Sequence, residues 1–129
     1  EVGLMGTTAY VKRHAARFQE ENALVLNFDG VGVDGQLQWV GANSLELVRL
    51  IQDAARAEHI STGRFRFIGA LFDHIPFAQR GLDAVSLITV GRASRSVHTP
   101  NDTIDHLHDR GFDQAGRVAL RVICQLVDR

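Results

Sequence analysis

Ala23-Leu24-Val25-Leu26-Asn27-Phe28 is a short, nearly continuous apolar run that stops at Asp29-Gly30-Val31-Gly32. A run of this kind is expected as a strand covered on both faces, and that requires other elements to pack above and below it. Ala84 to Val90 is the clearest further strand. Phe65 to Ala70 alternates enough to be another. Gln36 to Val40 reads as a short one, punctuated by Gly35 and Gly41.

Helical spacings fall between these runs. Thr7 or Thr8 is the expected cap of a helix to about Gln19, with Tyr10, Val11, His14, Ala15 and Phe18 along one side. Asn43 or Ser44 caps a second helix to about Glu58, with Leu45, Val48, Leu50, Ile51 and Ala55 turned inward. His74 to Gly81 is a short helix with Pro76 in its first turn and Gly81 at its C-cap. Phe112 to Asp128 closes the chain as an amphipathic helix. Its expected buried stripe is Ala115, Val118, Ala119, Val122, Ile123 and Leu126, with Cys124 an inert core thiol on it. Strands alternating with helices predict an α/β fold: three layers, α/β/α, around a largely parallel or mixed sheet.

The chain has 129 residues, enough for one domain over 1–129 and too few for two. A formal net charge of -1 gives no reason to expect nucleic acid or an anionic membrane as partner. No apolar run approaches the roughly 18 residues of a spanning helix, so no membrane segment is expected in this chain. With one cysteine, Cys124, no disulfide can form within it. The sequence begins at Glu1 without a lead-in and reads as a piece of something longer; any signal or anchor would lie upstream.

The chemistry-bearing side chains fall on expected loops. Asp29 follows a strand, and a carboxylate there is costly to bury unless paired or bound to a cation. Asp73-His74 precedes Ile-Pro-Phe. His98 stands just before Pro100, which fixes its own φ and biases Thr99 towards an extended backbone, so His98 lies outside any helix. Asn101 or Asp102 then caps the helix implied by the apolar spacing beyond it. In open α/β sheets ligands gather at the carboxyl ends of strands. Glu1, Asp29 and His98 together supply two carboxylates and an imidazole, an oxygen/nitrogen set suited to Zn²⁺ and, less diagnostically, to other divalent metals. The helix-borne His-Glu-x-x-His signature and the Gly-x-Ser-x-Gly elbow are both absent.

Four blocks occur in one order: Glu1-Val2-Gly3-Leu4-Met5-Gly6-Thr7, Asn27-Phe28-Asp29-Gly30-Val31-Gly32, Asp73-His74-Ile75-Pro76-Phe77 and His98-Thr99-Pro100-Asn101-Asp102-Thr103. That order resembles the second half of the catalytic domain of family M28 zinc peptidases, the dizinc aminopeptidases and their relatives, over nearly the whole chain. The resemblance implies a partial phosphorylase/hydrolase-like zinc exopeptidase fold and a parent enzyme that takes the N-terminus of a peptide. It implies Glu1, Asp29 and His98 as metal ligands, Asp73 and His74 as substrate-pocket or outer-shell residues, and Asp102 and Thr103 as the turn that fixes His98. In such families two zinc ions polarise the scissile carbonyl and activate a bridging water, and a glutamate carries its proton to the leaving amine. That general-base Glu is expected just before Glu1, and the remaining ligands in a preceding half. The isolated chain is therefore expected to be catalytically silent, with its metal site partial or empty. It is also expected to expose an apolar face or an edge strand and to self-associate. A glutaminyl-cyclase-like single-zinc acyltransferase and a non-catalytic receptor-like or scaffold domain are the alternative readings.

Overall fold

The computed structural model describes residues 3–66 and 69–127. The chain runs α1 (Met5–Glu20), β1 (Leu24–Phe28), β2 (Gly35–Gly41), α2 (Leu45–Ala57), β3 (Thr62–Arg64), α3 (Ile75–Ala78), β4 (Asp83–Gly91) and α4 (Asp109–Val127). Short 3-10 turns lie at Arg92–Ser96 and Ile104–His106. The four strands form one sheet in the order β1-β4-β2-β3. β4 is parallel to β1 and antiparallel to β2, and β2 is parallel to β3, so the sheet is mixed.

Alternation along the strands separates two faces. Leu37, Trp39, Val85 and Leu87 point to one side, where they form a core with Leu47, Leu50, Ile51, Ala54 and Ala55 of α2 and with Ala115, Val118, Ala119 and Val122 of α4. Fully burying one such aliphatic side chain contributes roughly 1.5–3 kcal/mol. Ser86 and Asn27 point to the other side, towards the start of α3. Helix α1 packs on α3 through a run of rings. Tyr10, His14 and Phe18 follow one another at i+4 spacing, with Phe18 5.9 Å and Tyr10 6.4 Å from Phe77.

Helix α2 begins as expected, with the Ser44 hydroxyl accepting from Leu47 N–H at 3.1 Å. At its far end the Glu58 carboxylate accepts from Arg121 and Arg117 of α4, which locks the two helices side by side. Those guanidinium groups, Arg121 first, hold the Glu58 carboxyl below its ordinary range. None of the described helices is long and apolar enough to cross a membrane.

Several expectations are corrected. Helix α1 starts at Met5 behind Leu4, whose backbone is left-handed (φ 61), and no threonine caps it. The Thr7 hydroxyl is instead donated to the Asp73 carboxylate. The third strand is Thr62–Arg64 and not the stretch from Phe65 onward, of which Phe67 and Ile68 lie outside the described residues. The reason is register: Thr62, Gly63 and Arg64 complete a parallel ladder with Leu37, Gln38 and Trp39. Leu45 is 77% exposed, because at 100° per residue the first position of α2 faces away from the Leu47–Ile51–Ala54 stripe. On α4 Ile123 and Leu126 are exposed, and so is Cys124, half a turn from Ala115 around the helix. Strand β1 is not covered on both faces throughout. It lies at the sheet edge, its residues half-buried and Phe28 47% exposed. Helix α4 also presents a second apolar stripe: Phe112, Leu120 (61% exposed), Ile123 and Val127 (79%).

Gly111, in the first turn of α4, lies against the backbone of the β1–β2 loop. A Cβ there would stand 2.7 Å from Gly32 Cα and 2.8 Å from the Val33 carbonyl oxygen. Gly111→Ala should therefore destabilise the protein even though alanine is the better helix former. The expected loss is about 1–2 kcal/mol from overpacking. A thermal melt followed by circular dichroism checks this; an unchanged or raised Tm would show that the helix simply moves away.

Candidate metal centre and its supports

Asp29 follows the last residue of β1, and its N–H donates to the Leu87 carbonyl of β4 at 3.1 Å. His98 lies on the segment that leaves the carboxyl end of β4 through the 3-10 turn Arg92–Ser96. Because β1 and β4 are parallel neighbours, the two segments leave the sheet at the same edge, where ligands collect in open α/β folds. A groove of about 440 Å³ near the amino ends of β1 and β4, lined by Gln19, Leu24, Leu47 and Asp83 among others, lies at the opposite end.

His98 is exposed and adopts φ +63, a left-handed backbone that non-glycine residues rarely hold. The turn behind it maintains that conformation. Thr99 donates its N–H (3.0 Å) and its hydroxyl (2.6 Å) to the Ser96 carbonyl, and Asn101 N–H donates to the Thr99 hydroxyl. Asp102 joins through its backbone, N–H to the Thr99 carbonyl at 3.0 Å, and Thr103 N–H donates to the Asn101 carbonyl. Neither Asn101 nor Asp102 caps a helix with its side chain; the next element is the 3-10 turn Ile104–His106, with Thr103 at its cap position. The fixing turn exists, and the Thr99 side chain supplies its main polar contact.

Asp73 and His74 do not follow a strand directly, since β3 ends at Arg64. They enter α3, and the two side chains diverge. Asp73 is exposed and accepts from Thr7. His74 is 3% exposed, in the interior. Its Nδ1 lies 2.7 Å from Ser86 Oγ, which also accepts from Asn27 Nδ2 at 2.9 Å. The buried Ser86 hydroxyl thus links the His74 ring to Asn27 of β1. The ring edge rests on Gly41, where a Cβ would overlap it. Ser86 and Asn27 are the partners that sequence reasoning missed; Asn27 is the one polar residue of β1 and Ser86 is flanked by Val85 and Leu87 in β4, and that was the available signal.

Glu1 lies outside the described residues. Among those described, no three His, Cys, Asp or Glu side chains gather closely enough to hold a metal ion. Asp29 and His98 offer the oxygen and nitrogen donors that zinc takes, so they fit in kind; a full shell requires more than these two.

Comparison with known proteins gives the family and the fold. The model of peptidase family M28 matches residues 1–123, and the chain belongs to that family. Aminopeptidase YwaD of Bacillus subtilis is 26% identical over a 142-residue alignment, which takes in 100% of this chain and 30% of that protein. The zinc aminopeptidase BSAP from Bacillus subtilis superposes with a TM-score of 0.80 at 24% identity, over 98% of this chain and 33% of its own. An aminopeptidase from Aneurinibacillus sp. strain AM-1 gives 0.78 at 21% identity, over 95% and 30%. The chain thus spans about a third of the length of the relatives it matches.

Burial lowers the His74 pKa below its ordinary value of 6.5. Above that value the imidazole is neutral in both folded and unfolded chains. As pH falls below it the unfolded chain takes up a proton that the folded chain resists, so stability is lost towards acid. Melts from pH 7.5 down to 5.5 should show a falling Tm, and His74→Asn should flatten that slope. An identical slope in the variant would assign the acid sensitivity to other groups.

Proposed function

We propose that the chain is the C-terminal part of a zinc-dependent aminopeptidase domain that hydrolyses the bond after a peptide's N-terminal residue. The observation that carries this reading is the family match over 1–123, combined with Asp29 and His98 at the carboxyl ends of adjacent parallel strands. Glu1, Asp29 and His98 are the ligands this chain contributes, to a site that takes two zinc ions in the whole domain. Bound zinc supplies Lewis-acid polarisation of the scissile carbonyl and an acidified water. The general base is a glutamate immediately before Glu1, and the remaining ligands come from a preceding part of the domain. That part also covers the β1 edge and the outward stripe of α4. Without it the 129-residue chain is catalytically silent and self-associates through those apolar surfaces.

Two measurements test the reading. The 129-residue chain with added zinc should not turn over leucyl-p-nitroanilide and should sediment as more than a monomer. The whole protein should cleave the same substrate in preference to cyclising an N-terminal glutaminyl peptide. His98→Ala should lower its kcat/KM by more than the roughly 10–100-fold that loss of a ligand's outer partner costs. Clear turnover by the isolated chain, lost on His98→Ala, would overturn its assigned silence. A whole protein whose activity is indifferent to zinc and to His98→Ala would overturn the peptidase reading itself.

A further inference from the structure

We propose that the Asp73-His74 pair is a brace that sets the three ligand-bearing segments in register, so that both are positioning residues for the metal. The proposal rests on reading Glu1, Asp29 and His98 as ligands. Its basis is that two neighbouring side chains touch two segments far apart in sequence and reach a third through Ser86. Asp73 accepts from Thr7, in the first turn of the helix that comes after Glu1. His74 meets Ser86 of β4, the strand that leads to His98. Ser86 in turn accepts from Asn27, two residues before Asp29 on β1.

The surroundings make the brace stiff. His74 and Ser86 are buried, at 3% and 0% exposure, so water does not compete for their hydrogen bond. Gly41 of β2 leaves room for the ring and nothing more. Helix α3 begins at the next residue with Pro76 in its first turn, which restricts the backbone carrying the pair. Asp73 and His74 therefore cannot shift independently. A displacement of α1 relative to β4 has to break a bond to one of them, and one relative to β1 has to break such a bond or the Asn27–Ser86 bond. Ligand geometry tolerates errors of only a few tenths of an ångström.

The test uses the whole protein. Zinc affinity is measured by competition with a chromophoric chelator, the visible spectrum is taken after cobalt(II) substitution, and Tm is recorded alongside. Asp73 is a surface residue, so Asp73→Ala should fold, yet bind zinc about tenfold more weakly with an altered cobalt spectrum. Asp73→Asn keeps an oxygen that accepts from Thr7 and should restore both. His74→Leu should weaken zinc likewise, whereas His74→Asn, which keeps a polar atom near the Nδ1 position, should recover most of it. Wild-type affinity and spectrum in both Asp73→Ala and His74→Leu would overturn the brace while leaving the peptidase reading intact. Wild-type protein that takes up no zinc would overturn the ligand assignment, and the brace with it. A lowered Tm with unchanged cobalt spectrum would assign the pair a purely structural role, against the proposal.

Discussion

Strand β4 is the constraint on which the rest of the structure depends. It runs nine residues from Asp83 to Gly91 and is laddered on both sides, to β1 in parallel and to β2 antiparallel. One face carries Val85 and Leu87 into the core with α2 and α4, and the other carries Ser86 to His74. Its carboxyl end leads to His98, and its pairing with β1 brings the Asp29 end to the same edge. A one-residue slip would exchange these faces, placing Ser86 in the apolar layer and Leu87 against His74. The fold and the candidate site therefore share one register.

Much of this was legible in the sequence wherever local pattern and tertiary role agree. Ala84 to Val90 lies fully within β4, and Ser44 caps α2 through the N–H predicted for such a residue. What was not legible depended on partners distant in the chain. Thr7 looked like a cap because its hydroxyl is free in the sequence; Asp73, 66 residues later, takes that hydroxyl. Thr62–Arg64 has weak strand character and a glycine at its centre, and becomes a strand only because β2 offers it a ladder. Cys124 and Ile123 are exposed against expectation because α4 is apolar over more than one stripe, and periodicity alone does not say which stripe meets the sheet.

The same double apolarity bears on function. Arg117 and Arg121 occupy one flank of α4 and clamp Glu58. The flank with Phe112, Leu120, Ile123 and Val127 leaves large apolar side chains exposed. β1 likewise has the composition of a strand buried on both sides but the position of an edge. Helix and strand each leave apolar side chains exposed, a surface composed like an interior. Relatives three times as long have ample chain to cover such a surface.

His98 shows how local strain and long-range support combine. A left-handed histidine costs on the order of 1 kcal/mol or more and persists only where its neighbours over-determine it. The Thr99–Ser96 bonds do this locally, without reference to any metal. Asp29, by contrast, owes its place to the β1–β4 ladder and to the Asn27–Ser86 bond two residues before it. One candidate ligand is held by its own turn and the other by the sheet. A ligand held by its turn keeps its local shape even if β1 moves. The separation between the two ligands then depends on what ties β1 to β4: the parallel backbone ladder and, among the side chains, the His74–Ser86–Asn27 chain.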